Sequence, residues 1–166
     1  YGINNIQFTI STSRNESVKG FDLEGIKLIE YLPEKVDEKF PNLIAYSAYN
    51  CSVKSISADN FRNMRKLEAL NLPYNQIEYI DEDIFENLVA LRFLRLNNNK
   101  IHFVAQNAFK NLRKLESLDF DDNKLKSLQF NLESLVELRN ITMQDNQLSI
   151  LVDNHFENNK KLENVW

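Results

Sequence analysis

With 166 residues, 43% of them hydrophobic and 27% charged, the chain has the size and composition of one ordinary folded domain or a short array of repeats. A net charge of -4 gives no basis for nucleic-acid binding, and no apolar run approaches the ~18 residues of a membrane span. Three glycines and three prolines are too few for a fold built of many tight turns, or for a flexible linker.

The chain opens Tyr1-Gly2-Ile3, without an initiating Met or a signal peptide, and is expected to be processed or excised from something longer. In residues 1–17, Ile6, Phe8 and Ile10 alternate with polar residues. This predicts an N-terminal cap strand followed by a turn. Residues 18–42 read as a degenerate first repeat, with Val18, Phe21, Leu23, Ile26, Leu28 and Tyr31 at apolar offsets.

The repeats then become regular. Leu43, Tyr46, Ala48, Cys51, Val53, Ile56, Phe61 and Met64 mark the first full unit. Leu67, Leu70, Leu72, Asn75, Ile77, Ile80, Phe85 and Leu88 mark the second. The third is Leu91, Leu94, Leu96, Asn99, Ile101, Val104, Phe109 and Leu112. The unit from Leu115 is one residue short, so Leu132 and Leu135 take the Phe and Leu places. Another runs from Leu138 through Asn146 to Phe156, and a last, incomplete one starts at Leu162. Starts at 43, 67, 91, 115, 138 and 162 give spacings of 24, 24, 24, 23 and 24. The pattern L-x-x-L-x-L-x-x-N is the leucine-rich repeat signature. One copy alone would equally fit an amphipathic helix, but consecutive copies in register do not.

The fold class that follows is a leucine-rich repeat solenoid, an α/β-type horseshoe that is mainly β. The period-two half of each repeat is a short strand, and successive strands stack in parallel at roughly 4.8 Å to make the concave sheet. The second half returns over a greater width as an irregular, 3-10 or loop convex side. Phe61, Phe85, Phe109 and Phe156 fill its wider core. No repeat is stable alone, because each covers its neighbour's face.

At the ninth position stand Asn75, Asn99, Asn123 and Asn146, with Cys51 in the equivalent place. There the backbone leaves the strand and turns polar groups inward, and a carboxamide satisfies donors and acceptors alike. Cys51 therefore reads as a buried ladder residue, against the alternative of a reactive or intermolecular thiol. As the only cysteine it forms no disulfide within the chain. An inward thiol says little about the redox compartment.

The junctions Phe61-Arg62-Asn63-Met64, Phe85-Glu86-Asn87-Leu88 and Phe109-Lys110-Asn111-Leu112 make residues 43–166 resemble the animal extracellular leucine-rich repeat family. Residues 18–42 resemble it more loosely. The 24-residue class is similar to that of Toll-type receptor ectodomains, proteoglycan cores and secreted insect immune proteins. The resemblance implies a secreted or extracellular, non-catalytic module that binds another protein, with roles such as insect innate immunity or cell-surface recognition. The family often caps both ends with paired cysteines, and these are missing here. The expectation is a fragment, an unusual cap, or self-association through the solenoid ends in a structural or matrix role.

Outward strand positions are the third, fifth, seventh and eighth of each repeat. They predict an aromatic patch of Tyr49, Tyr74, Phe93 and Arg95, with Pro73 on the same face, and Trp166 exposed at the last strand. Tyr and Arg dominate binding hot spots, whereas folding requires no aromatic on a solvent-facing sheet. Asp119, Asp121, Asp122 and Asp145 predict an adjoining acidic patch, either a solvated or partner-steering face or a calcium site. Asn15, Asn50 and Asn140 head N-glycosylation acceptor triplets. His102 and His155 lack a ligand or acid–base constellation, and no phosphate loop or nucleophile setting occurs. No cofactor or metal is expected.

Overall fold

The computed structural model describes residues 15–24, 26, 29–149 and 155–166. The expected cap strand around Ile6, Phe8 and Ile10 lies outside them. The described chain is a parallel solenoid whose principal sheet has seven strands. In spatial order these are β1 (Gly20–Asp22), β2 (Ala45–Ser47), β3 (Ala69–Asn71), β5 (Phe93–Arg95), β7 (Ser117–Asp119), β8 (Asn140–Thr142) and β9 (Asn164–Val165). Their register follows the repeat starts: Ala45 pairs with Ala69, Ala69 with Phe93, Phe93 with Ser117, Ser117 with Asn140 and Asn140 with Asn164. In β2, β3, β5, β7 and β8 one buried residue stands between two outward ones. Leu70, Leu94, Leu118 and Ile141 are completely buried.

The convex side is built from two consecutive three-residue turns per repeat. The Leu88 amide donates to Phe85 (3.1 Å) and the Leu91 amide to Leu88 (2.9 Å). Phe109, Leu112 and Leu115 repeat this at 3.0 Å for both bonds. A three-residue turn returns side chains to one face, so F-x-x-L-x-x-L points all three inward. In the short repeat Leu132, Leu135 and Leu138 make the same turns, at 3.0 and 3.1 Å. Phe130 adds a ring there. The rings of Phe61, Phe85, Phe109 and Phe130 run along the convex core with centroids 6.2, 6.1 and 5.4 Å apart. Residues Ala58–Phe61 form a 3-10 helix and Val36–Lys39 a single α turn, α1.

Three local departures have physical reasons. The first repeat, residues 18–42, is one residue longer than the 24-residue units after it; the extra residue falls before the inward position, so Leu32 is buried and Tyr31 is turned out to bridge Ser55. Ile26, at the ladder offset, is exposed; an aliphatic side chain has nothing to offer the inward backbone groups there. Between the two sides, β4 (Tyr79–Ile80) and β6 (Phe103–Val104) pair as a separate two-stranded parallel sheet. They alternate an exposed aromatic with a buried aliphatic residue, which is a half-buried strand pattern.

The polar ladder is continuous. Asn99 Nδ2 donates to the carbonyls of Leu72 (2.9 Å), Leu96 (3.0 Å) and Asn97 (3.3 Å), and its Oδ1 accepts from the Ile77 amide (3.1 Å). Asn123 and Asn146 repeat this one and two turns on. Asn75 Oδ1 accepts from the amides of both Cys51 (3.1 Å) and Val53 (3.0 Å). Cys51 is fully buried, its sulfur 2.8 Å from the Leu23 carbonyl it serves as donor. Asn60 and Asn159 form further buried links on the convex side, to Leu32 and to Leu132 and Leu135. Asn159 occupies a place that Leu or Met fills in other repeats.

Candidate binding face

The outward side chains of the principal sheet form ordered rows, because the parallel register places equal repeat positions side by side. The eighth position lies three residues beyond the end of each strand. Asn50, Tyr74, Asn98, Asp122 and Asp145 occupy it, all with left-handed backbone (φ 54, 56, 55, 53 and 53°). Asn and Asp tolerate this conformation through their short polar side chains, and a tyrosine does not share that tolerance. Tyr74 is nevertheless there, 49% exposed, with its ring 5.2 Å from that of Tyr49. The turn is common to the repeats, but only here does it hold a bulky side chain, and backbone strain of that kind clusters at functional sites.

Phe93 lies at the third position, near the opposite end of the strands from Tyr74. Among the described residues it makes no ring contact with either tyrosine. Its ring is covered instead by the guanidinium of Arg92, 5.3 Å from the centroid. A cation therefore does adjoin an aromatic, but through Arg92, a residue the outward-position reading passes over. Arg95 is exposed on β5 and faces Asp119 of β7 in register. Pro73 is buried, because the chain turns inward there ahead of Asn75 and the Pro73 carbonyl accepts from Asn75 Nδ2 (3.2 Å) and the Asn50 amide (3.1 Å).

The acidic residues form an internally bonded cluster. Asp119 Oδ1 accepts from the Asp121 amide (3.1 Å) and the Thr142 hydroxyl (3.0 Å). Asp121 Oδ1 accepts from the Gln144 amide (2.7 Å). Partial burial, with Asp119 and Asp122 close by, pushes the Asp121 carboxyl above its ordinary range. Asp122 and Asp145 are exposed at the rim. Among the described residues no group of His, Cys, Asp and Glu converges as metal ligands would. Trp166 and Val165 are exposed at the outer edge of the sheet, Trp166 at 62%.

A second surface escapes a reading of the strand positions alone. Tyr79 and Phe103 are exposed on β4 and β6, 6.5 Å apart, and His102 meets the Tyr79 ring edge-on at 4.6 Å. The signal for it is visible in the aligned repeats as aromatic residues at position thirteen.

Charge is also ordered at the second position, where Glu68, Arg92, Glu116, Arg139 and Glu163 alternate in sign from repeat to repeat. Arg92 lies 3.7 Å from Glu68 and 2.8 Å from Glu116, and Arg139 lies 2.7 Å from Glu163. The hydrogen bond from Arg92 holds the Glu116 carboxyl below its usual range, and Arg139 adds to the effect.

A leucine rich repeat model matches residues 49–101 and 90–148, more than half of the chain. The chain belongs to the leucine rich repeat family. No curated protein matches it. Among solved structures, it resembles a chain of the Toll–Spatzle complex of Drosophila, described as a molecular hub in development and innate immunity and determined in glycosylated form. The TM-score is 0.69 at 22% identity, over 75% of this chain and 18% of that one. The likeness is one of fold, and this leucine rich repeat segment spans under a fifth of its structural neighbour. Leucine rich repeats are typically non-catalytic scaffolds for protein interaction. Among the described residues, no helix is long and apolar enough to cross a membrane.

Proposed function

We propose that this segment is an extracellular recognition module of the innate-immune or cell-surface kind, binding another protein across its concave sheet. The observation that carries the reading is Tyr74: an exposed aromatic held in left-handed backbone beside Tyr49, where the sister repeats carry Asn or Asp. Phe93 under Arg92, with Arg95 beyond, adds a second anchor on the same sheet. The acidic cluster at Asp119, Asp121, Asp122 and Asp145 steers a partner whose opposing surface is basic at that end. The family's habit and the likeness to a chain of a receptor–ligand complex support the choice of protein as partner.

The test is binding of the full chain to its captured partner, with Tyr74 and Phe93 both replaced by Ala. Affinity falls by about 2 kcal/mol or more while the fold is retained. Unchanged affinity removes the concave face as the site. A second reading, self-association through β9, rests on the exposed Val165 of that strand and the exposed Trp166 that follows it. Light scattering across a hundredfold range of concentration decides it: growth in mass that Trp166→Asp abolishes supports self-association, and a monomer throughout ends it.

A further inference from the structure

We infer that Asn15 is the residue of this chain that accepts an N-linked glycan, and that Asn140 does not. The inference rests on the extracellular reading above, since the donor, a lipid-linked oligosaccharide, is met only in the secretory pathway. In the transfer, Asn15 Nδ2 bonds to C1 of the first sugar and the C1–O bond breaks. The polyprenyl diphosphate leaves with the electron pair, and Nδ2 gives up one proton.

The acceptor triplet needs a hydroxyl two residues on that can reach the asparagine carboxamide. At Asn15 it does. The Ser17 hydroxyl donates to Asn15 Oδ1 at 2.7 Å and the Ser17 amide donates to the same oxygen at 3.1 Å. This is a local Asx turn, made by three consecutive residues, and it forms without help from the rest of the solenoid. All three residues are exposed. The Asn15 amide donates to the Lys39 carbonyl (2.9 Å), and the Glu16 carbonyl accepts from Asn42 Nδ2 (3.1 Å). The turn is thus seated beside residues 39–42, where the chain completes its convex return before β2. A glycan there leaves the concave sheet uncovered.

Asn140 has the opposite setting. It lies on β8 between β7 and β9, half-buried, and its Oδ1 accepts from Asn164 Nδ2 at 2.6 Å. The Thr142 hydroxyl that would serve it is donated across the sheet to Asp119. A sugar on Asn140 Nδ2 would have to fit beside the Asn164 side chain held at Oδ1 and lie over the strands. Asn50 is exposed, but the residue between it and Ser52 is the fully buried Cys51, and both flanking residues are in left-handed backbone (φ 54 and 66°). No Asn50–Ser52 hydrogen bond forms in that turn.

The test expresses the full chain behind a foreign secretion leader in insect cells and maps sites by amidase release of glycans in heavy-oxygen water. The label is expected at Asn15 in most molecules and absent from Asn140. Asn15→Gln should remove the glycan mass, and Ser17→Thr should keep it. An unlabelled Asn15, or label at Asn140 in most molecules, overturns the assignment. Fractionation of the native protein is read separately. A native protein retained in the cytosol defeats the extracellular reading, while label at Asn15 behind the foreign leader still establishes the acceptor.

Discussion

At the scale of single residues, two side chains break local rules and do so in opposite ways. Tyr46 takes a leucine place in the core, between Phe21 (5.2 Å) and Phe61 (6.0 Å). Its hydroxyl is buried without a hydrogen-bond partner, and burial keeps the phenol protonated far beyond its usual range. Tyr46→Phe removes that stranded group and keeps the ring, so it should stabilise the protein by about 1 kcal/mol in denaturant unfolding. A loss of stability would show that the hydroxyl is satisfied by water. Tyr74 is strained at the surface instead. Tyr74→Asn relieves a left-handed tyrosine, at about 1 kcal/mol, and forfeits an exposed ring pair worth at least ~0.5 kcal/mol. The expected result is a slightly more stable protein that binds its partner more weakly. A large drop in stability would mean that the ring holds the turn rather than serves a partner.

At the scale of elements, the second-position charge row joins strands that already pair through their backbones. Arg92→Glu sets three acids in succession, Glu68, residue 92 and Glu116. The melting temperature should fall at low salt and recover most of the difference at high salt, where the Debye length shrinks to ~3 Å. The Glu116 carboxyl supplies a pH test with a defined sign. Because its folded pKa is lowered, its contribution is present above the ordinary carboxylate range and is lost as pH falls through the lowered folded value. Arg92→Gln should therefore differ from the parent near neutrality and converge with it in acid. The strands themselves were legible in the residues: each begins two positions after a repeat start, because only that placement buries both leucines of L-x-L. The charge row was equally present in the sequence, but an apolar template passes over exposed positions. The left-handed row and the β4–β6 pair were hidden for another reason. Both depend on how the backbone exits a strand, and side-chain spacing does not record that. The insertion that buries Leu32 in place of Tyr31 could not be placed by counting, since both residues are apolar.

At the scale of the whole molecule, the core is a line of neighbours in which each repeat touches only the next. Stability is then nearly a sum over repeats and their interfaces. On hydrophobic grounds alone any repeat could be lost or copied, since the ring column and the asparagine ladder present the same face each time. The alternating row Glu68, Arg92, Glu116, Arg139 and Glu163 adds a condition that the core lacks: it distinguishes odd from even. Excision of residues 91–114, one repeat, brings Glu68 against Glu116. Excision of 91–137, two repeats, brings Glu68 against Arg139. Of these two shortened chains, the one with fewer residues removed should be the more salt-dependent in its melting, as like charges meet across its new junction. A solenoid marked in this way has a parity, and it lengthens or shortens most readily two repeats at a time.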